Sequence, residues 1–262
     1  MRLAWLTDIH LNFVKLEDRR RFYSTIRDAQ PDAILLGGDI AEAPTLVEHL
    51  RDFDRAFDMP VYFVLGNHDF YRSSFENVCA RIRLLMPLTL IWLTDSGVQL
   101  LSDETALIGD DGWADGRFGD HFGSDVFLND YLLINEFVGL DKQQRLRLLN
   151  ELADAAAARL SAKLREACAL RKRIILLTHV PPFRESCWHE GRTSDENWLP
   201  HFASKTMGDA ILDVMDGHPE CQLEVLCGHT HSGGFARIRP NVTVRTGGAE
   251  YGRPAIQAIL EG

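Results

Sequence analysis

The first third of the chain repeats one phrase three times: a short apolar run, a polar tip, then a helical stretch. RLAWL ends in TDIH, DAILL ends in GGDI and VYFVL ends in GNHD, with KLEDRRRFYSTIRDAQ and PTLVEHLRDFDRAF lying between them. Unbroken apolar runs of this length, alternating with amphipathic segments, fit βαβ units whose parallel strands are buried on both faces. Crossovers of one hand bring the tips of neighbouring strands to one edge of the sheet, where open α/β sheets bind their ligands. The phrase returns in RIILLTHVPPF and QLEVLCGHTH. An α/β fold with all its polar tips at carboxyl ends of strands is expected.

Between these runs, TLIWLTDSGVQLL and TALIG read as strands with a turn at Ser96-Gly97, and DDGWADGRFGDHFGSD as a long loop. Residues from 141 to about 172 carry Leu, Ala and Arg at helical spacing without Pro or Gly. Loop and helix together read as an insertion at about 110–172. GFARIRP, VTVRT and AIQAIL read as closing strands, and no linker, low-complexity tract or solenoid repeat divides residues 1–262. One domain is expected.

A net charge of −10 disfavours nucleic acid and membrane as partners, since both call for a cationic surface. Cys79, Cys168, Cys187, Cys221 and Cys227 are scattered without a Cys-x-x-Cys pair, so neither a disulfide framework nor a zinc ribbon is present and a reducing cytoplasm is expected. MRLAWLTDIH runs straight into a strand, so no signal peptide is expected. No apolar run approaches the roughly 20 residues that span a bilayer.

The tips collect Asp8, His10, Asp39, Asn67, His68, His179, His229 and His231. Carboxylates, imidazoles and an amide are the donors of borderline divalent metals such as Mn, Fe, Co, Ni or Zn, and the lack of cysteine at any tip argues against structural zinc. So large a donor set is too many for one ion and suits two that share a carboxylate. Such pairs, about 3.5–4 Å apart, clamp the attacking and leaving oxygens of a phosphoryl centre.

Taken in order, D-x-H, GD, GNHD, H and GHTH resemble the calcineurin-like metallophosphoesterases. The resemblance implies a four-layer α/β/β/α sandwich of two mixed sheets with flanking helices, and a dinuclear site between the sheet edges. It assigns Asp8, His10 and His231 to one divalent ion and Asn67, His179 and His229 to the other, with Asp39 bridging them. At a strand end residues i and i+2 point the same way, which would let His229 and His231 each reach a different ion. His68 faces the substrate in such enzymes, stabilising transition-state oxygens or protonating the leaving group. Glu42 stands where many members carry an Asp that orients this histidine, and Asp69 is the rival partner. The implied nucleophile is a metal-bridging hydroxide, and the implied substrate a small phosphate ester.

Ala43 stands where the protein serine/threonine phosphatases of this fold carry an Arg, which disfavours that branch. GNHD, HVPP and GHTH resemble the bacterial phosphodiesterase branch instead, so a diester is favoured over a monoester. Nucleases and nucleotide pyrophosphatases share the motifs, and some relatives are non-catalytic protein-binding scaffolds that have lost His68 or several ligands. The loop of residues 110–131, with Trp113, Arg117, Asn129, Asp130 and Tyr131, has two readings: it roofs the pocket and selects substrate, or Trp113 and Tyr131 simply pack the insertion. Trp113 and Arg117 are its candidate substrate contacts. His49, His121, His189, His201 and His218 belong to no motif and are expected to pack or face solvent.

Overall fold

Every apolar run of the repeated phrase forms a strand. The structure, a computed structural model, describes residues 1–85 and 89–262. In chain order the elements are β1 (Arg2–Leu6), α1 (Leu16–Asp28), β2 (Ala33–Gly37), α2 (Ala43–Ala56), β3 (Val61–Val64), α3 (Phe75–Arg83), β4 (Leu90–Trp92), β5 (Gln99–Leu100) and β6 (Thr105–Asp110). They continue with α4 (Asp130–Leu133), α5 (Lys142–Leu170), β7 (Arg173–Thr178), β8 (Trp188–His189), β9 (Arg192–Thr193), α6 (Leu199–Phe202), α7 (Lys205–Asp216), β10 (Gln222–Cys227), β11 (Gly234–Arg239), β12 (Val242–Thr246) and β13 (Ala258–Glu261). One sheet has the order β13-β1-β2-β3-β4 and the other β11-β12-β10-β7-β6-β5. Both are mixed: β13, β11 and β5 run antiparallel at the edges of otherwise parallel sheets.

Alternation along each strand sorts its residues between two cores, as the two-residue repeat of a pleated strand requires. Leu3 and Trp5 of β1 and Ala33 and Leu35 of β2 meet Leu107, Ile175, Leu177 and Leu226 between the sheets. Ala4, Leu6, Ile34 and Leu36 face outward onto α1 and α2, through Phe22, Ile26, Leu46, Leu50 and Phe53. On the far side Ile108, Ile174, Leu176 and Val225 pack on Leu160 and Leu164 of α5 and Ile211 and Val214 of α7. The layers are therefore helix, sheet, sheet, helix, the four-layer α/β/β/α sandwich expected.

The stretch expected as an insertion at about 110–172 is corrected in one respect. β6 and β7 pair in parallel, which requires a long crossover, and α5 supplies it as part of the outer helical layer. Asp141 starts α5 with a capping box, accepting the Gln144 N–H at 2.8 Å while Gln144 Oε1 accepts the Asp141 N–H at 2.9 Å. Of residues 110–172, only the segment between β6 and α5, with the short α4 inside it, stands outside the layers. Among the described residues no helix is long and apolar enough to cross a membrane.

Candidate metal centre

The carboxyl ends of β1, β2, β3, β7 and β10 meet along one line between the two sheets, and each delivers its polar tip there. Asp8, His10, Asp39, Asn67 and His179 are buried, and His231 is partly so. Among the described residues eight non-glycine residues have positive φ, and five of them are Asp8 (51°), His10 (40°), Asp39 (50°), His229 (72°) and His231 (57°). The left-handed region is rarely occupied outside glycine, and such strain gathers at functional sites. It also corrects the geometry expected for His229 and His231. They lie beyond the end of β10 on bent backbone rather than on a strand, and still turn their rings in different directions.

The first group comprises Asp8, His10, Asp39 and His231, whose donor atoms all lie within 4.8 Å of one another. His10 Nε2 is 3.1 Å from His231 Nε2 and 3.8 Å from Asp39 Oδ2, and His231 Nε2 is 3.5 Å from Asp8 Oδ1. Asp8 is fixed by the Thr7 hydroxyl at 2.6 Å and by the His229 N–H at 3.0 Å. The second group centres on Asn67 Oδ1, which lies 3.1 Å from His179 Nε2 and 3.0 Å from His229 Nδ1. Asp39 stands between the groups, its Oδ2 toward His10 and its Oδ1 3.4 Å from His179 Nε2.

The second group tests directly whether a cation fits. His179 Nδ1 is 2.9 Å from Gly37 O and His229 Nε2 is 3.2 Å from His201 O. A carbonyl only accepts, so both rings carry their proton on the side away from Asn67 and present a lone pair to it. Asn67 Nδ2 donates to Asp130 Oδ1 at 2.8 Å, which turns its oxygen inward. An amide oxygen and two imidazole lone pairs thus converge with no hydrogen among them. That arrangement repels itself without a positive charge and suits a divalent ion with mixed N/O ligands.

Electrostatics agree with this. Burial, reinforced by neighbouring imidazoles, lowers His10 and His68 to about 2 and His229 to about 3, so these rings are neutral, which leaves His10 and His229 able to ligate. Burial and the nearby Asp8 carboxylate push Asp39 well above the usual carboxylate range, the expected state of two buried carboxyls lacking a counter-charge. The motif glycines make room for these groups. A Cβ on Gly66 would sit 2.2 Å from Asp39 Oδ1, and one on Gly228 1.9 Å from Asp8 Oδ2.

His68 faces the cleft with its Nε2 3.9 Å from Asp39 Oδ2, its ring stacked on Tyr71 at 4.2 Å. Neither carboxylate expected to orient it does so. Glu42 accepts from Arg72 Nε at 2.7 Å. Asp69 accepts the backbone N–H groups of Ile40, Ala41 and Gly66 at 2.8–2.9 Å and ties the tips of β2 and β3 together. His68 Nδ1 has no hydrogen-bond partner among the described residues.

The expected substrate contacts are also corrected. Trp113 is 7% exposed and packs among Phe70, Phe75 and Phe137. A large apolar ring gains more from that core than from a roof. Arg117 makes a bidentate pair with Asp154 at 2.6 and 2.9 Å, turned toward α5. The loop reaches the site at its other end, through Asn129 and Asp130. There Asp130 Oδ1 also accepts the Tyr71 hydroxyl at 2.7 Å. The sequence offered no sign of Tyr71, Trp198 and Tyr251, which line a cleft of about 290 Å³ beside the candidate metal ligands. Two histidines outside the motifs serve the site: His201 through its backbone oxygen, and His189 in the cleft wall.

The sequence model of the calcineurin-like phosphoesterases matches residues 1–233. No curated protein matches the chain by sequence. Among solved structures it is similar to the phosphopantetheinyl hydrolase of Mycobacterium tuberculosis, at 16% identity over 96% of this chain and 90% of that one, with a TM-score of 0.68. A dimetal phosphatase from Danio rerio is similar at 14% identity over 94% and 86% of the two chains, TM-score 0.59. GAP50, the anchor in the inner membrane complex of Plasmodium, is similar at 15% identity over 95% of this chain and 71% of that one, TM-score 0.53. At these identities the structural likenesses establish the fold.

Proposed function

The chain belongs to the calcineurin-like phosphoesterase family, and on that premise we propose that it is a two-metal phosphoesterase that hydrolyses small phosphodiesters in preference to monoesters. The observation that carries the metal assignment is the convergence of lone pairs on Asn67 Oδ1 beside a shared Asp39. Asp8, His10 and His231 would hold one ion, Asn67, His179 and His229 the other, and Asp39 both. Divalent ions held there supply positive charge for the phosphate oxygens and acidity for water.

The chain's own residues do the rest. Thr7 and the His229 N–H hold Asp8 in place, and Asp130 holds Asn67. His68, kept neutral by burial, has one ring N–H with which to donate a hydrogen bond from the cleft wall. Directed at the departing ester oxygen, that bond stabilises the charge developing there. The diester preference rests on the cleft lining, which includes Asp130 and no lysine or arginine among the described residues. A diester brings one negative charge and a monoester up to two, and no side chain of the cleft answers the second. The complete ligand set speaks against the scaffold reading.

The test is hydrolysis of 4-nitrophenyl phosphate and bis(4-nitrophenyl) phosphate after reconstitution with Mn, Fe, Co, Ni or Zn. Higher kcat/KM on the diester is expected. Preference for the monoester would remove the diester assignment, and no turnover with any metal would remove the enzyme.

A further inference from the structure

The cleft beside the metal ligands has two aromatic walls. On one side Tyr251, 49% exposed, sets its ring 4.5 Å from that of His10 and 5.1 Å from that of His231. Phe13, 50% exposed, braces it edge-on at 5.1 Å. On the other side Trp198 stacks on Phe202 at 5.0 Å, and Phe202 meets the His229 ring edge-on at 5.2 Å. One wall thus adjoins ligands of the first group, and the other a ligand of the second.

Two half-exposed rings side by side forgo burial that either could gain in a core. An exposed apolar patch at the mouth of a site marks a surface kept for a ligand. Flat faces favour a flat partner, because ring pairs gain stacking energy beyond their buried area. The lack of lysine and arginine in the lining, among the described residues, selects against further phosphates. Tyr251 also lies outside residues 1–233, the part of the chain that matches the family model.

We infer that the substrate is a phosphodiester bearing a planar aromatic ring on one ester group, and that Tyr251 and Trp198 bind that ring. The inference rests on the phosphoesterase reading above. Two probes that carry the same single negative charge, matched in size and ester type, isolate the contribution of the ring: benzyl methyl phosphate and cyclohexylmethyl methyl phosphate. Each is measured as a competitive inhibitor of bis(4-nitrophenyl) phosphate hydrolysis by the metal-loaded protein. Stacking contributes about two- to tenfold per face, so the benzyl ester should have a Ki about tenfold lower. Tyr251→Phe should keep that ratio. Tyr251→Ala and Trp198→Ala should each bring it toward one with metal content unchanged. Equal Ki values for the two esters in the wild-type protein, with turnover intact, would overturn the ring site alone, as would a ratio untouched by both alanine variants. If bis(4-nitrophenyl) phosphate is not hydrolysed at all, the phosphoesterase reading fails and this inference with it.

Discussion

Asp130→Ala should cost the protein one metal site without touching a metal ligand. Asp130 Oδ1 accepts from Asn67 Nδ2 at 2.8 Å and from the Tyr71 hydroxyl at 2.7 Å, inside a buried pocket. Removing the acceptor leaves two buried donors, each worth about 1–3 kcal/mol when unsatisfied. Asn67 Nδ2 already lies 3.3 Å from the Tyr71 oxygen and can fall back on it. A net loss of about 2 kcal/mol follows, or a melting temperature about 4–8 °C lower for a chain of this size. The amide is then free to turn its oxygen away from His179 and His229. Loss of such an outer partner lowers metal affinity about 10–100-fold, or about 1.4–2.7 kcal/mol. Competition titration of metal-free protein with a chromophoric chelator measures both sites. One affinity should fall and the other hold, and Asp130→Asn, which keeps an acceptor oxygen, should lose less than about threefold on the same reasoning. Wild-type affinity at both sites in Asp130→Ala would refute the claim that Asp130 orients Asn67.

Three further outcomes follow from the corrected positions. Trp113→Ala removes a core ring and should cost about 3–5 kcal/mol, seen in thermal melts; an unchanged melting temperature with KM raised only for bulky substrates would return Trp113 to the pocket. Glu42→Gln breaks an ion pair in which Arg72 is largely exposed, worth about 0–1 kcal/mol. Its kcat should stay within about twofold of wild type on that account, and a tenfold fall would put Glu42 behind His68 after all. In metal-free protein His68 is held near 2 by burial, far below its ordinary 6.5. The unfolded chain therefore takes up a proton that the folded one refuses, and this uptake removes stability as pH falls below about 6.5. Between pH 6.5 and 5 it amounts to about 2 kcal/mol, so denaturant melts of His68→Ala should lose less stability over that range than wild type. Identical pH dependence would show that the ring is not buried neutral.

What the sequence disclosed was what depends on local pattern. An apolar run followed by a polar tip fixes a strand and its end, so Asp8, Asp39, Asn67 and His179 were placed by β1, β2, β3 and β7 alone. Partner choice depends on where chains cross, and there the sequence ran out. Glu42 sits three residues from Asp39, yet Arg72 claims it. Trp113 and Arg117 share a loop with Asp130, yet only Asp130 reaches the ligands, because Phe70, Phe75 and Phe137 absorb the indole and Asp154 the guanidinium. The 29-residue α5 looked inserted because a long loop precedes it, although parallel β6 and β7 need that crossover. Tyr251 follows the last motif by 20 residues and has no spacing that marks it; only the return of the chain past β12 brings it over His10.

A pair of ions sharing Asp39 has a direct readout in metal stoichiometry. Protein stripped of metal, reloaded with Mn or Zn, desalted and assayed by plasma mass spectrometry should carry two ions per chain. His10→Ala should retain one. Asp39→Asn, which keeps the shape and removes the shared charge, should weaken both. A single ion in the wild type, or full loading of Asp39→Asn, would rule out the shared pair.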